Sequence, residues 1–117
     1  MLCHEKLDVY RCAIDLLALS AKLIESVPRG NASVVDQLRR ASMSIPLNIA
    51  ESAGTRATSE RRRYLSIARG SALECSAVLD VCRVLALANE SSVKDGKALL
   101  IRIVSMLTKM TNPNDQP

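Results

Sequence analysis

Apolar residues recur along this chain in alternating steps of three and four, the spacing that lines up side chains on one face of an α-helix. Leu7, Tyr10, Ile14, Leu17, Ala21 and Ile24 form the first seam and predict a helix over about residues 6–26. Pro28 and Gly30 close it, because the residue before a proline is driven out of the helical region. Val35, Leu38, Ser42, Ile45, Ile49 and Ser52 predict a second helix over about 33–53, opened by Ser33 with Asp36 three residues on and closed by Gly54. Pro46 sits inside this helix, where a proline removes a donor, frees the carbonyl of Ser42 and costs about 3 kcal/mol or more. The helix is therefore expected to kink near Pro46 or to break there, with Ser44 capping a second segment from Ile45.

Tyr64, Ala68, Ser71, Cys75, Val78, Cys82 and Leu85 carry the third seam, over about 59–88. A neighbouring stripe of Leu65, Ala72, Leu79 and Ala86 widens the buried face, and Asn89 is a candidate C-terminal cap. The fourth helix is expected over about 93–110, with Ser92 and Asp95 at its start and Leu100, Ile103, Leu107 and Met110 as its seam. The tail from Thr111, with Pro113 and Pro117, is expected to fray. Four such seams with short connections predict an all-α, up-down-up-down antiparallel four-helix bundle in which residues 1–117 form one domain.

Composition supports this architecture. Of the 117 residues 48% are hydrophobic and 24% charged, which suits one globular core. Tyr10 and Tyr64 are the only aromatics, so the core must be built from Leu, Ile, Val, Ala, Met and Cys, a palette for helix packing rather than for a sheet. No apolar window is long enough to span a membrane, and His4, Glu5 and Lys6 precede any apolar run, which predicts no signal peptide. Cys3, Cys12, Cys75 and Cys82 contain no C-x-x-C pair. Cys75 and Cys82 are about 10.5 Å apart along one helix, too far for a disulfide. A reduced, cytoplasmic protein whose cysteines act as small hydrophobes is expected.

Charge is unevenly placed. The net charge is +4, yet between Arg39 and Arg69 seven arginines face two acids, Glu51 and Glu60, a local net of +5. If the second and third helices form a hairpin turning near Arg56, facing residues have numbers that sum to about 112. Arg39 and Arg40 then fall opposite Glu74, Glu51 opposite Arg61 and Arg62, and Ser42 and Ser44 opposite Gly70 and Ala68. Two ion pairs would bracket a zone of small residues where the helices touch. Close approach would justify Gly70, which inside a helix costs about 1 kcal/mol relative to Ala. A functional groove at the proline, lined by Asn48 and Arg39, is the alternative.

Gln37-Leu38-Arg39-Arg40-Ala41, Ser44-Ile45-Pro46, Asn48-Ile49-Ala50-Glu51 and Ala68-Arg69-Gly70-Ser71 with Glu74 resemble the four-helix-bundle proteins encoded in intervening sequences of bacterial 23S rRNA genes. Leu7-x-Val9-Tyr10-x-x-Ala13 resembles that family's first helix, and the likeness covers roughly residues 5–88. Ser52 stands where the family usually has Gly, with Gly54 following two residues later. The resemblance implies a bundle that assembles as a ring, typically a homopentamer. It also implies kinship with the accessory variability protein of diversity-generating retroelements, which binds reverse transcriptase and RNA through a basic surface. It assigns no catalytic role to the matching Arg39, Arg40, Pro46, Asn48, Glu51, Gly70, Ser71 and Glu74.

For function the residues favour binding over chemistry. Arg56, Arg61, Arg62, Arg63 and Arg69 are candidates for neutralising phosphates of RNA or DNA, although no aromatics accompany them to stack on bases. Metal binding would rest on His4 with Cys3 and Cys12, which is no compact ligand set. No Cys/His or Ser/His/Asp set lies within a motif, the motif region holds no paired carboxylates and there is no glycine-rich phosphate loop, so no enzyme activity and no cofactor are expected. The leading expectation is a non-enzymatic, self-assembling bundle that serves as an RNA- or protein-binding accessory factor. The competing one is a purely structural homo-oligomer whose arginines form ion pairs within and between subunits.

Overall fold

The computed structural model describes residues 4–112, all in four helices and short turns. They are α1 (His4–Ser26), α2 (Ala32–Ala53), α3 (Thr58–Val84) and α4 (Glu90–Thr111). Each helix packs on its neighbours in sequence, and α1 closes against α4, as an up-down-up-down bundle requires. The body measures 46 × 21 × 20 Å. The expected frayed tail beyond residue 112, Cys3 and the side chain of His4 lie outside the described residues.

The core is aliphatic, as the palette predicted. Leu16, Leu38, Ile45, Ile49, Leu79, Leu100, Ile103 and Leu107 are fully buried, each worth about 1.5–3 kcal/mol relative to exposure. Seams two to four hold through their centres. The first is rotated by one residue: Val9, Ala13, Leu16, Ser20 and Leu23 face inward, while Ile14 and Ala21 are exposed. Buried Ser20, whose hydroxyl has no partner, disguised the true stripe by putting a polar residue in it.

Several helix boundaries also differ from expectation, among them the start of α4, which lies at Glu90 rather than near residue 93. Helix α2 begins at Ala32, so Ser33 lies inside it; Asn31 is the N-cap residue and turns its amide to the Pro28 carbonyl at 2.9 Å. Pro46 is buried within one continuous α2, so Ser44 does not start a second segment. Helix α3 ends at Val84 rather than near residue 88. There the Ala86 N–H donates to the Arg83 carbonyl at 3.2 Å and the Leu87 N–H to the Cys82 carbonyl at 2.8 Å. These two bonds form a Schellman motif, with Ala86 at φ 55° and Leu87 folded back into the core, leaving Leu85 exposed. Asn89 does not cap α3. It caps α4, its Oδ1 accepting from the Ser92 N–H at 2.7 Å.

Candidate functional site

The α2–α3 hairpin carries both sets of residues that the sequence singles out. Along its middle, Arg40 forms the expected ion pair with Glu74. One turn further along α2, the Ser71 hydroxyl donates to Ser44 Oγ at 2.8 Å. Asn48 Nδ2 donates to the carbonyl and the hydroxyl of Ser44, at 2.9 and 3.1 Å. Motif residues Asn48 and Ser71 therefore act with Ser44 as one polar clasp between the helices.

Two expected juxtapositions fail. Glu51 pairs with neither Arg61 nor Arg62 among the described residues: it is exposed, and Arg61 Nη2 turns instead to the Arg56 carbonyl at 3.2 Å. Gly70 meets no close backbone. It is exposed, and a Cβ built there would touch nothing within 4 Å. Ser42 does not face it but lies buried, its hydroxyl bonded back to the Arg39 carbonyl at 3.2 Å. The closely packed glycine is Gly96 on α4, where a Cβ would stand 2.7 Å from Leu79 Cδ1 and 3.2 Å from Leu19 Cδ2.

The outer side of α2 forms an open groove of about 500 Å³ lined by Asp36, Arg39, Arg40, Met43, Leu47 and Asn48 among others. It does bring Arg39 and Asn48 together, as the alternative reading required. Its apolar members, Met43 and Leu47, were missed because they fall outside the buried seam of α2. They are 44% and 59% exposed. Ile67 on α3, 39% exposed, adds to the apolar surface of this hairpin. Apolar residues left over from a helix seam are the signal that would have found them.

At the turn end of the hairpin, four arginines gather on residues 56–63. Arg56 is exposed, while Arg61 and Arg62 are half-buried. Arg63 lies 3.6 Å from Glu60 and sets its guanidinium over the Tyr64 ring, 4.7 Å from the centroid. Arg69 stands apart, about 10.5 Å further along α3 than Arg62. Its Nε donates to the Thr108 hydroxyl of α4 at 2.7 Å. Among the described residues no carboxylate pairs with Arg56, Arg61, Arg62 or Arg69.

A second polar cluster, which the sequence reading missed, ties α3 to α4. Lys97 Nζ donates to Asp80 Oδ1 at 2.8 Å and to the Ser76 hydroxyl at 2.8 Å, and Arg83 lies 3.7 Å from Asp80. The Lys97 hydrogen bond, aided by the charges of Lys97 and Arg83, holds the Asp80 carboxyl below its ordinary value of 3.8. Facing positions on the second hairpin would have revealed it had the α3–α4 turn been placed correctly. Burial pushes the Cys75 thiol up to about 12, with the nearby Glu74 charge adding to the shift. Burial raises Cys82 as well. These cysteines are neutral packing groups, not nucleophiles. Among the described residues no group of three or more His, Cys, Asp and Glu could hold a metal ion, and no helix is long and apolar enough to cross a membrane.

Residues 5–109 match the sequence model of the 23S rRNA-intervening sequence protein family. The fold is similar to the crystal structure of a protein of unknown function from the S23 ribosomal protein family of Bacteroides thetaiotaomicron VPI-5482. The two share a TM-score of 0.82 at 16% sequence identity, over 89% of this chain and 98% of that one. Comparison with curated proteins gives no match.

Proposed function

The chain belongs to the 23S rRNA-intervening sequence protein family, and on that footing we propose that it is a non-enzymatic accessory protein that assembles with copies of itself and presents a basic surface to nucleic acid. The observation that carries this reading is the state of the arginines. Among the described residues internal ion pairs occupy Arg40, Arg63 and Arg83, but not Arg56, Arg61, Arg62 or Arg69. Of the seven arginines between Arg39 and Arg69 only Arg40 pairs, among the described residues, with an acid outside that stretch, Glu74, so most of the local charge of +5 is not consumed in holding the fold together. A concentrated, unpaired cationic surface attracts polyanions and releases their counterions on binding.

The exposed apolar residues of the same hairpin support self-assembly. Met43, Leu47 and Ile67 keep 44%, 59% and 39% of their surface exposed on their own chain, and contact with another copy would remove it from water. The family resemblance makes five copies the expected number. In a ring the basic turns would repeat around one rim, so individually weak phosphate contacts would add by avidity.

Two measurements test the proposal. Light scattering over rising protein concentration should show an oligomer that Leu47→Glu dissolves; a wild-type monomer at high concentration would refute assembly. Nucleic-acid affinity should fall steeply with salt and drop in Arg61→Ala/Arg62→Ala/Arg63→Ala with the oligomer intact. If that variant binds as wild type, or instead loses its assembly, the arginines are structural and the basic-surface reading is wrong.

A further inference from the structure

We infer that the turn end of the α2–α3 hairpin grips the phosphate backbone of double-stranded nucleic acid, DNA or RNA, without reading its sequence and in preference to single strands. The inference rests on the preceding reading of the arginines as a nucleic-acid surface and names the class of ligand that surface takes.

Single strands are held largely by stacking their bases on aromatic rings or arginine planes. This chain has no Phe and no Trp. The Tyr64 ring is already covered by the Arg63 guanidinium, 4.7 Å from its centroid, and that contact occupies the Arg63 plane as well. Tyr10 packs against the core from α1. Arg61 is turned onto the Arg56 carbonyl and Arg69 onto the Thr108 hydroxyl. The described residues therefore present charge at this end but no ring free to receive a base.

Reading a duplex sequence requires an element that enters a groove. A B-form major groove is about 12 Å wide and admits one helix. The arginines here sit at one end of a bundle whose body measures 21 × 20 Å across, the end where α1 and α3 begin and α2 and α4 finish. That end is too broad to reach base edges. It can rest on the phosphates that border a groove. Arg61 and Arg62 are consecutive on α3 and so leave the helix about 100° apart, with Arg56 in the turn before them. Such a fan suits phosphates on two strands better than one extended backbone. Duplex also offers the denser target, with one charge per about 1.7 Å of axis.

Fluorescence anisotropy with the full chain would test this. The probes are a mixed-sequence 20-bp DNA duplex, an RNA duplex of equal length, their separated strands and a duplex of unrelated sequence. Duplexes should bind about tenfold or more tighter than single strands at equal salt, with the two DNA sequences alike. The slope of log affinity against log salt should be about −0.9 per phosphate contacted, and it should weaken by about two in Arg56→Ala/Arg62→Ala. That double variant leaves the partners of Arg61 and Arg63 in place, so circular dichroism and light scattering should match wild type.

Single strands bound as tightly as duplex, with that binding still lost in the double variant, would overturn the duplex inference and leave the nucleic-acid surface standing. A tenfold difference between the two DNA sequences would overturn the claim of backbone-only contact. Salt-insensitive binding, or none, to every probe would defeat the surface reading and the inference together.

Discussion

At its C-terminal end α3 stops in a turn that satisfies its own backbone: Ala86 and Leu87 cap the last carbonyls, and Asn89 caps the first turn of α4. The nearby charges are matched, Asp80 lying between Lys97 and Arg83. At its N-terminal end the turn from α2 is different. Ala57 occupies the N-cap position with no side-chain cap, and Arg56, Arg61 and Arg62 have no carboxylate partner among the described residues. The first turn holds the fold with local polar chemistry. The second leaves charge and backbone donors available to something outside it. Within one helix, the contrast separates residues that maintain the bundle from those most open to a partner.

The largest test of that division is Gly96→Val. The branched side chain would be driven into Leu79 and Leu19, and overpacking of this kind costs about 1–3 kcal/mol. Urea unfolding should show the loss; a variant as stable as wild type would mean the α3–α4 packing is looser than the geometry implies. Asn89→Ala should follow, losing about 1 kcal/mol with its bond to the Ser92 N–H. Ala57→Asp supplies the converse experiment: a cap introduced where none exists should gain stability and, if the proposed function holds, weaken nucleic-acid affinity by adding a negative charge beside the arginines. A loss of stability there would show that the α2–α3 turn is already satisfied in some other way.

The same residues show how much of the fold is legible in the sequence. The bundle was legible because Leu38, Ile45, Ile49, Leu100, Ile103 and Leu107 repeat in phase and no aromatic or β-branched alternation competes with them. The register of α1 was not legible, because buried Ser20 and Cys12 look no more apolar than exposed Ala21. The end of α3 was missed because Ala86 adopts φ 55°, where glycine would have announced a C-cap. In the candidate site, the hairpin rule found Arg40–Glu74 because that pair lies far from the turn on two regular helices. It failed for Glu51 with Arg61, because near the turn a loop carbonyl competes for the guanidinium. The location of the basic turn was written in the arginine spacing. Which arginines lack partners depends on side-chain directions that spacing does not fix.

Gly70 and Ala86 sharpen the comparison through gains. Gly70→Ala should stabilise by about 0.5–1 kcal/mol, because the site is helical, exposed and open. A loss in the monomeric chain would restore the close approach that the sequence suggested. A loss only in the assembled protein would place a neighbouring copy over that spot. Ala86→Gly should gain up to about 1 kcal/mol by relieving a left-handed residue that carries a Cβ. Both follow from thermal or urea unfolding compared with wild type.

The smallest expected effect concerns pH and belongs to the α3–α4 side alone. Asp80 is held below its ordinary value of 3.8, chiefly by its hydrogen bond from Lys97. A carboxyl with a depressed folded-state value adds stability that is fully present above the unfolded value. That stability fades as pH falls below about 3.8 and is gone once pH has dropped through the folded-state value. Asp80→Asn should therefore lower stability slightly at neutral pH and flatten the acid limb of a stability–pH curve, because the variant has no proton to take up there. The effect is small because the carboxylate faces solvent and the pair is screened by salt. Raising the salt concentration should shrink the neutral-pH difference between wild type and Asp80→Asn. If the difference persists in high salt, the latch acts through packing of the Lys97 stem against α3 rather than through charge, and the two turns differ less in chemistry than their ion pairs suggest.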